Sequence, residues 1–234
     1  MTCSIFIKSF PGDFQWLVHC LRSIHKFASD FHEVVIVIPE GEGLSLTAER
    51  VIKIKEYGDG YTFQQIVKMD ADKYCDSDLI LHMDSDCIFT EPVTPQSFLF
   101  KSKPVWLMTP MKDVLSGDVN THAWNRCMTQ FLGVQPEFEY MRRSGQVIPR
   151  WAHEEFRAFC AKKHGGTFEK WAFRQPFREV TEFNLMGFFL HKNFPDRIHF
   201  HDTRHSIPPQ VIRQFWSHSG ITEENLNEIT KALK

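Results

Sequence analysis

Apolar positions in the first part of the chain fall into two periodicities. Thr2 to Phe10, Val34 to Ile38 and Leu79 to Met83 are short, nearly unbroken apolar runs. They read as strands buried on both faces, as in a parallel sheet covered by helices on each side. Between them, Phe14, Leu17, Leu21, Ile24 and Ala28 recur at helical spacing, after a stop at Pro11-Gly12 and with Asp13 as the expected cap. Pro39 ends the second strand, Leu44 to Arg50 reads as a short helix, and Val51 to Tyr57 as a third strand. Gly58-Asp59-Gly60 is a turn; Thr62 with Gln65 then reads as a capping box opening a helix through Lys73, with Phe63, Ile66 and Val67 turned inward. The order β-α-β-α-β-α-β predicts an α/β domain with a mostly parallel sheet flanked by helices.

The second half is less regular. A strand is expected at Val105 to Met108 and a helix at Trp124 to Phe131. A further helix follows Pro149, carrying Ala152, Phe156, Phe159 and Cys160 on one face and stopping at Gly165-Gly166. Ile198 to His201 reads as a short strand, and Pro208-Pro209 as the start of a helix bearing Val211, Ile212, Phe215 and Trp216. Thr222 caps a last, structural helix whose Glu223, Glu224 and Lys231 suit the helix dipole. With 234 residues and no internal repeat, one domain over 1–234 is expected, with a half to about residue 111 on the strand side and a second half from about residue 112.

The strand Ile80 to Met83 ends abruptly in Asp84-Ser85-Asp86. In extended backbone, residues i and i+2 project to one side, so Asp84 and Asp86 are expected to converge and Ser85 to point away. Oxygen-only ligands suit Mg²⁺ or Mn²⁺, which keep open positions for water and substrate phosphates. Met69-Asp70-Ala71-Asp72 repeats the same letters inside a helical pattern, where i and i+2 diverge, and reads as a solvated helix face.

Composition narrows the classes. Apolar residues make up 42%, with 22 Phe, so a substantial core is available, and a net charge of −2, with no basic arm or acidic tail, argues neither for nucleic acid nor for an anionic membrane as partner. From Arg142 to Arg178 nine Lys/Arg oppose three Glu, interleaved with aromatics: an amphipathic helix with a packed loop, or a lip attracting an anionic substrate. The N-terminus lacks the pattern of a signal peptide and no run is long enough to span a membrane. The six cysteines are scattered beside apolar neighbours, as reduced core thiols of a cytoplasmic protein.

Four strand signals, a helix bearing Tyr61, Gln64, Gln65 and Lys68, and an apolar strand ending in Asp84-Ser85-Asp86 together resemble the nucleotide-sugar glycosyltransferases of the GT-A fold. The chain is particularly similar to small domains encoded by large algal viruses (chloroviruses), which would place it in the host cytoplasm. It also resembles bacterial relatives with a Ser/Thr-Glu-aromatic segment, here Thr181-Glu182-Phe183. The resemblance implies a Rossmann-like GT-A domain that uses Mn²⁺ or Mg²⁺ to bind a UDP-sugar and transfers a hexose or deoxyhexose, such as glucose or rhamnose, to a glycan or other hydroxyl. It implies Asp84 and Asp86 as metal ligands, with Asp86 catalytic through the metal, and Lys8, Ser9, Phe10, Gln65, Lys68 and Ser85 around the nucleotide. His201 is the implied third ligand, with His205 and His218 as fallbacks. For an inverting enzyme Glu182 is the expected base, with Glu154 as substitute; a salt bridge from Glu182 to Arg178 is the structural alternative.

Other readings use the same residues. A haloacid-dehalogenase-type phosphatase places two aspartates after a strand, but normally the first strand, and with Thr or Val where Ile88 stands. A nucleotidyltransferase could hold a nucleoside triphosphate on the pair, and a carbohydrate-binding module would use the aromatics alone. His199-x-His201-Asp202 could form a separate zinc or iron site. His82, inside the strand, reads as a core histidine with its hydrogen bonds satisfied.

Overall fold

The computed structural model describes residues 1–44, 49–115, 119–142 and 144–234. Its main sheet contains β1 (Cys3–Lys8), β2 (Val34–Pro39), β3 (Arg50–Ile54), β4 (Leu79–His82) and a strand from the second half, β9 (Gln146–Pro149), in the order β3-β2-β1-β4-β9. The first four run parallel, whereas β9 lies antiparallel to β4 with His82 opposite Gln146. The sheet is therefore mixed, mostly parallel with an antiparallel edge. Alternation along β1 divides the core: Ile5 and Ile7 pack with Leu17, Leu21 and Ile24 of α1 (Phe14–Phe27), while Phe6 turns to Phe63 and Val67 of α2 (Gly60–Met69).

The remaining elements are β5 (Cys87–Phe89), β6 (Leu99–Phe100), β7 (Lys103–Pro110), α3 (Met111–Val114), α4 (Val119–Leu132), β8 (Phe138–Glu139), α5 (Arg150–His164), α6 (Phe168–Ala172), α7 (Glu182–Asn193), β10 (His199–Asp202), β11 (Ile212–Gln214) and α8 (Glu223–Ala232). Strand β7 pairs parallel with β10 and antiparallel with β6 and β8. A large aromatic cluster of Trp106, Phe131, Phe156 and Phe189 joins α4, α5 and α7 to this second sheet and includes Ile66 and Met69 of α2, so the two halves share one core. In the basic stretch from Arg142 to Arg178, Phe156 and Phe168 are buried and Arg142 is paired with Glu139, while Phe177 and Arg178 at its end line a cavity. All six cysteines are free and buried. No helix among the described residues is long and apolar enough to cross a membrane.

Several local expectations need correction. Asp59, not Thr62, caps α2: its Oδ1 accepts from the Thr62 backbone N–H at 2.8 Å, so Gln65 is released from a capping role. The helix ends at Met69, where the backbone tightens into a turn over Ala71–Lys73. That turn brings Asp70 and Asp72 together on Arg157 of α5, at 3.3 and 2.6 Å, so this pair is a tether between elements rather than a solvated face. Pro208-Pro209 begins no helix; β11 instead pairs antiparallel with β5, Gln214 opposite Cys87. Four of the residues expected to form a helix at Leu44 to Arg50, 45–48, lie outside the described residues. His82 is buried, but neither ring nitrogen has a hydrogen-bond partner among the described residues.

Candidate functional site

The strand order reverses between β1, which leads to β2 and β3 on one side, and β4 on the other. In open α/β sheets the crevice beyond the strand ends at such a point is where ligands bind. Here it opens into a cavity of about 730 Å³, lined from the β1 end by Lys8, Ser9 and Phe10, from the β4 end by Asp84, Ser85 and Asp86, and from other elements by Asp13, Glu56, Tyr61, Gln64, Phe177, Arg178, Gln214, Trp216 and His218. A second cavity of about 770 Å³ lies at the opposite ends of the strands, around Leu79, Pro149 and Pro104. There Arg197 is stacked 3.6 Å from the Trp151 ring and Asp78 accepts from the Thr2 backbone at 2.8 Å.

The acidic segment sits in a tight turn after β4, closed by Cys87 N–H donating to the Asp84 carbonyl at 3.1 Å. Because the backbone turns, all three side chains of 84–86 reach the cavity, and Ser85 does not point away as extended geometry required. Its hydroxyl donates to Asp13 Oδ2 at 3.1 Å. Asp13 makes no side-chain capping bond to α1, although it occupies the cap position, so the expected cap is instead a third carboxylate of the cleft. The sequence signal available for it was its place just beyond the first strand, at the carboxyl end of the sheet.

Each acid of the pair has its own support. Asp84 Oδ1 lies 2.8 Å from Lys68 Nζ, and Lys68 reaches Glu182 Oε1 at 2.9 Å. In the orientation that the carboxylate demands, the Gln65 amide nitrogen also donates to Glu182 Oε1, at 2.8 Å. Burial alone would lower the pKa of Lys68; the charges of Asp84 and Glu182 outweigh it and hold the ammonium above its usual range. Gln65 and Lys68, expected among the nucleotide contacts, thus lie beneath the cleft, each about 95% buried. Glu182, also buried, pairs with Lys68 rather than Arg178 and is not among the cavity walls. Glu154 lines the opposite cavity.

Asp86 is fixed from the C-terminal side. Its Oδ2 accepts from the Ser217 backbone N–H at 2.8 Å, and its backbone carbonyl accepts from Phe215 N–H at 3.0 Å. Burial first, and the charge of Asp84 second, push the Asp86 carboxyl up to about 6, against the pull of the Ser217 N–H. Burial also raises Asp13. Lys8 is neutralised by Glu56 at 2.5 Å. His201 lies on β10 with Nε2 2.9 Å from the Ser206 carbonyl and does not line the cleft; the histidine that does is His218. His218, a fallback ligand in the sequence reading, follows β11 and Trp216, where a helix through Trp216 was expected.

Residues 13–225 match a family of unknown function, DUF6492. The chain belongs to the DUF6492 family. No curated protein gives a significant match. In this DUF6492 member, no three His, Cys, Asp or Glu side chains among the described residues are grouped to hold a metal by themselves. The donor set nevertheless fits a hard cation in part: a carboxylate offers about four acceptor positions, and Asp84 and Asp86 each use few of them. Water and phosphate oxygens would supply the rest of an octahedral shell.

Proposed function

We propose that this DUF6492 protein is a metal-dependent glycosyltransferase of the GT-A kind, taking a UDP-sugar as donor and a glycan or other hydroxyl as acceptor. The observation that carries the reading is the meeting of Asp84 and Asp86 with Lys8 and Ser9 at the switch point of a 3-2-1-4 parallel sheet. Repulsion between the two acids, with Asp13 adding to it, favours a cation between them, and a cation held there would in turn attract a polyanionic ligand. A divalent ion bound there, Mn²⁺ or Mg²⁺, would neutralise charge developing on a leaving diphosphate.

The protein's own contributions follow from the geometry. Lys68 holds Asp84 in place, and Glu182 with Gln65 holds Lys68, so Glu182 acts in this scheme as a positioning residue and not as the base. Asp86 is oriented by the Ser217 N–H. Phe10, 45% exposed and next to Ser9, offers a face for a nucleobase. The test is calorimetric titration of UDP, GDP and CMP with Mn²⁺ and again with EDTA. Metal-dependent binding of one nucleotide, lost in Asp86→Ala, supports the reading; absence of nucleotide binding in both conditions overturns it.

A further inference from the structure

Trp216 is 61% exposed, although the neighbouring Phe215 ring finds a stacked partner in Trp16, 5.7 Å between centroids. Its backbone is left-handed, φ 58° and ψ 78°. That conformation is unfavourable for a bulky side chain and persists only where the surroundings impose it. What imposes it is Asp86: the peptide N–H groups on either side of Trp216, from Phe215 and Ser217, both bind that one residue, through its carbonyl and its carboxylate. Pinned at both flanks, the chain turns the indole out to the cleft mouth. Five non-glycine residues with positive φ occur among the described residues, and a second one, Arg178 at 65°, lines the same cavity beside the 64%-exposed Phe177. A large aromatic left in water at a concave site, at the expense of local strain, is the signature of a contact reserved for a ligand.

The geometry points to Trp216 as the stacking platform for a pyranose ring at this site. The inference rests on the glycosyltransferase reading and specifies the part of the ligand bound there. Trp216 is one residue from the peptide N–H that orients Asp86, and it lines the same cavity as the acids. A nucleobase is separated from its diphosphate by a ribose, whereas the sugar to be transferred, and the saccharide receiving it, both lie where the sugar–phosphate bond is held. The apolar C–H face of a pyranose covers an indole and leaves its hydroxyls for His218 and Arg178, which has no carboxylate partner among the described residues.

The ring has two sources, the donor sugar or the acceptor, and binding to Trp216→Ala separates them. The probes are UDP and UDP-glucose by calorimetry with Mn²⁺, and the methyl pyranosides of glucose, galactose, mannose and rhamnose by saturation-transfer NMR with UDP and Mn²⁺ present. A donor ring on Trp216 makes the variant lose about tenfold in UDP-glucose affinity, the equivalent of one modest apolar contact, with UDP unchanged. An acceptor ring makes it lose the pyranoside signal instead. Trp216→Phe retains either response, which excludes misfolding as the cause. Equal loss of UDP and UDP-glucose affinity places the nucleobase on Trp216 and overturns the proposal, as does an unchanged response to every probe or a wild-type protein that binds neither UDP-glucose nor any pyranoside. A wild-type protein that binds a pyranoside through Trp216 but no nucleotide sustains the saccharide platform and removes the donor reading.

Discussion

Asp86→Asn is expected to make the protein more stable while removing the metal-dependent ligand binding that the proposed function requires. Asp86 is 7% exposed, and its pKa stands near 6 against an ordinary 3.8 because burial and Asp84 disfavour its charge. That rise corresponds to about 3 kcal/mol. The direction follows from proton linkage. Below pH 3.8 the carboxyl is protonated in both folded and unfolded chains, so the folded state carries no penalty. Between 3.8 and about 6 the unfolded chain ionises first, and stability falls as pH rises; above about 6 the full penalty is present. Asparagine keeps an oxygen to accept from the Ser217 N–H and never carries the charge. Urea denaturation should therefore show a gain over wild type of about 3 kcal/mol near neutral pH, shrinking towards zero near pH 4. Calorimetry on the same sample should find Mn²⁺-dependent UDP binding gone. An asparagine variant no more stable at neutral pH, or one whose gain is the same at every pH, refutes the argument.

Three further outcomes are expected. Lys68→Met leaves Asp84 and Glu182 close together without their cation and should destabilise by about 3–5 kcal/mol in urea titration, with Glu182→Gln on the same background recovering part of the loss. Asp13→Ala should destabilise by less than the ~1 kcal/mol typical of a lost helix cap, since it caps nothing, yet weaken Mn²⁺-dependent UDP affinity in calorimetry. Arg157→Ala removes the tether to Asp70 and Asp72 and should lower stability by about 1.5–3 kcal/mol, with UDP affinity within a factor of two of wild type; a large loss of affinity would place that second acidic pair in the site.

The four parallel strands of the main sheet and helices α1, α2, α5 and α8 were legible in the sequence because their apolar periods extend over several turns or residues and end at Gly, Pro or a capping side chain; β9 was not, because only its pairing with β4 marks it as a strand. Apart from the cap of α2, which Asp59 supplies locally, the misreadings at Ile212–Gln214, Asp13, Glu182 and His201 share one physical cause, a partner distant in the chain. Ile212–Gln214 lies between the apolar pairs Val211-Ile212 and Phe215-Trp216, whose spacing also suits a helix face, and the deciding fact is its pairing with Cys87–Phe89. Asp13 looks like a cap until Ser85 appears opposite it. Glu182 looks like an unexplained carboxylate until Lys68, on a helix from the first half, reaches it. Choosing His201 over His218 followed from the strand that carries His201, which is real but belongs to the second sheet. The acidic pair itself was legible because two carboxylates after a buried strand gain nothing from the core; its turn geometry was not.

The two bonds that Asp86 receives from Phe215 and Ser217 also set when the site can exist. They join residues about 130 positions apart, on opposite sides of all the helices from α3 to α7. During synthesis the first four strands can emerge and pair with the three acids near one another, but Asp86 stays unoriented, and Trp216 free of its left-handed turn, until the 212–218 segment has left the ribosome. Such long-range closure is a late event in folding. A nascent or C-terminally clipped chain should therefore hold a nearly complete sheet and no competent cleft, which confines any chemistry of the acids to molecules whose synthesis has passed Ser217.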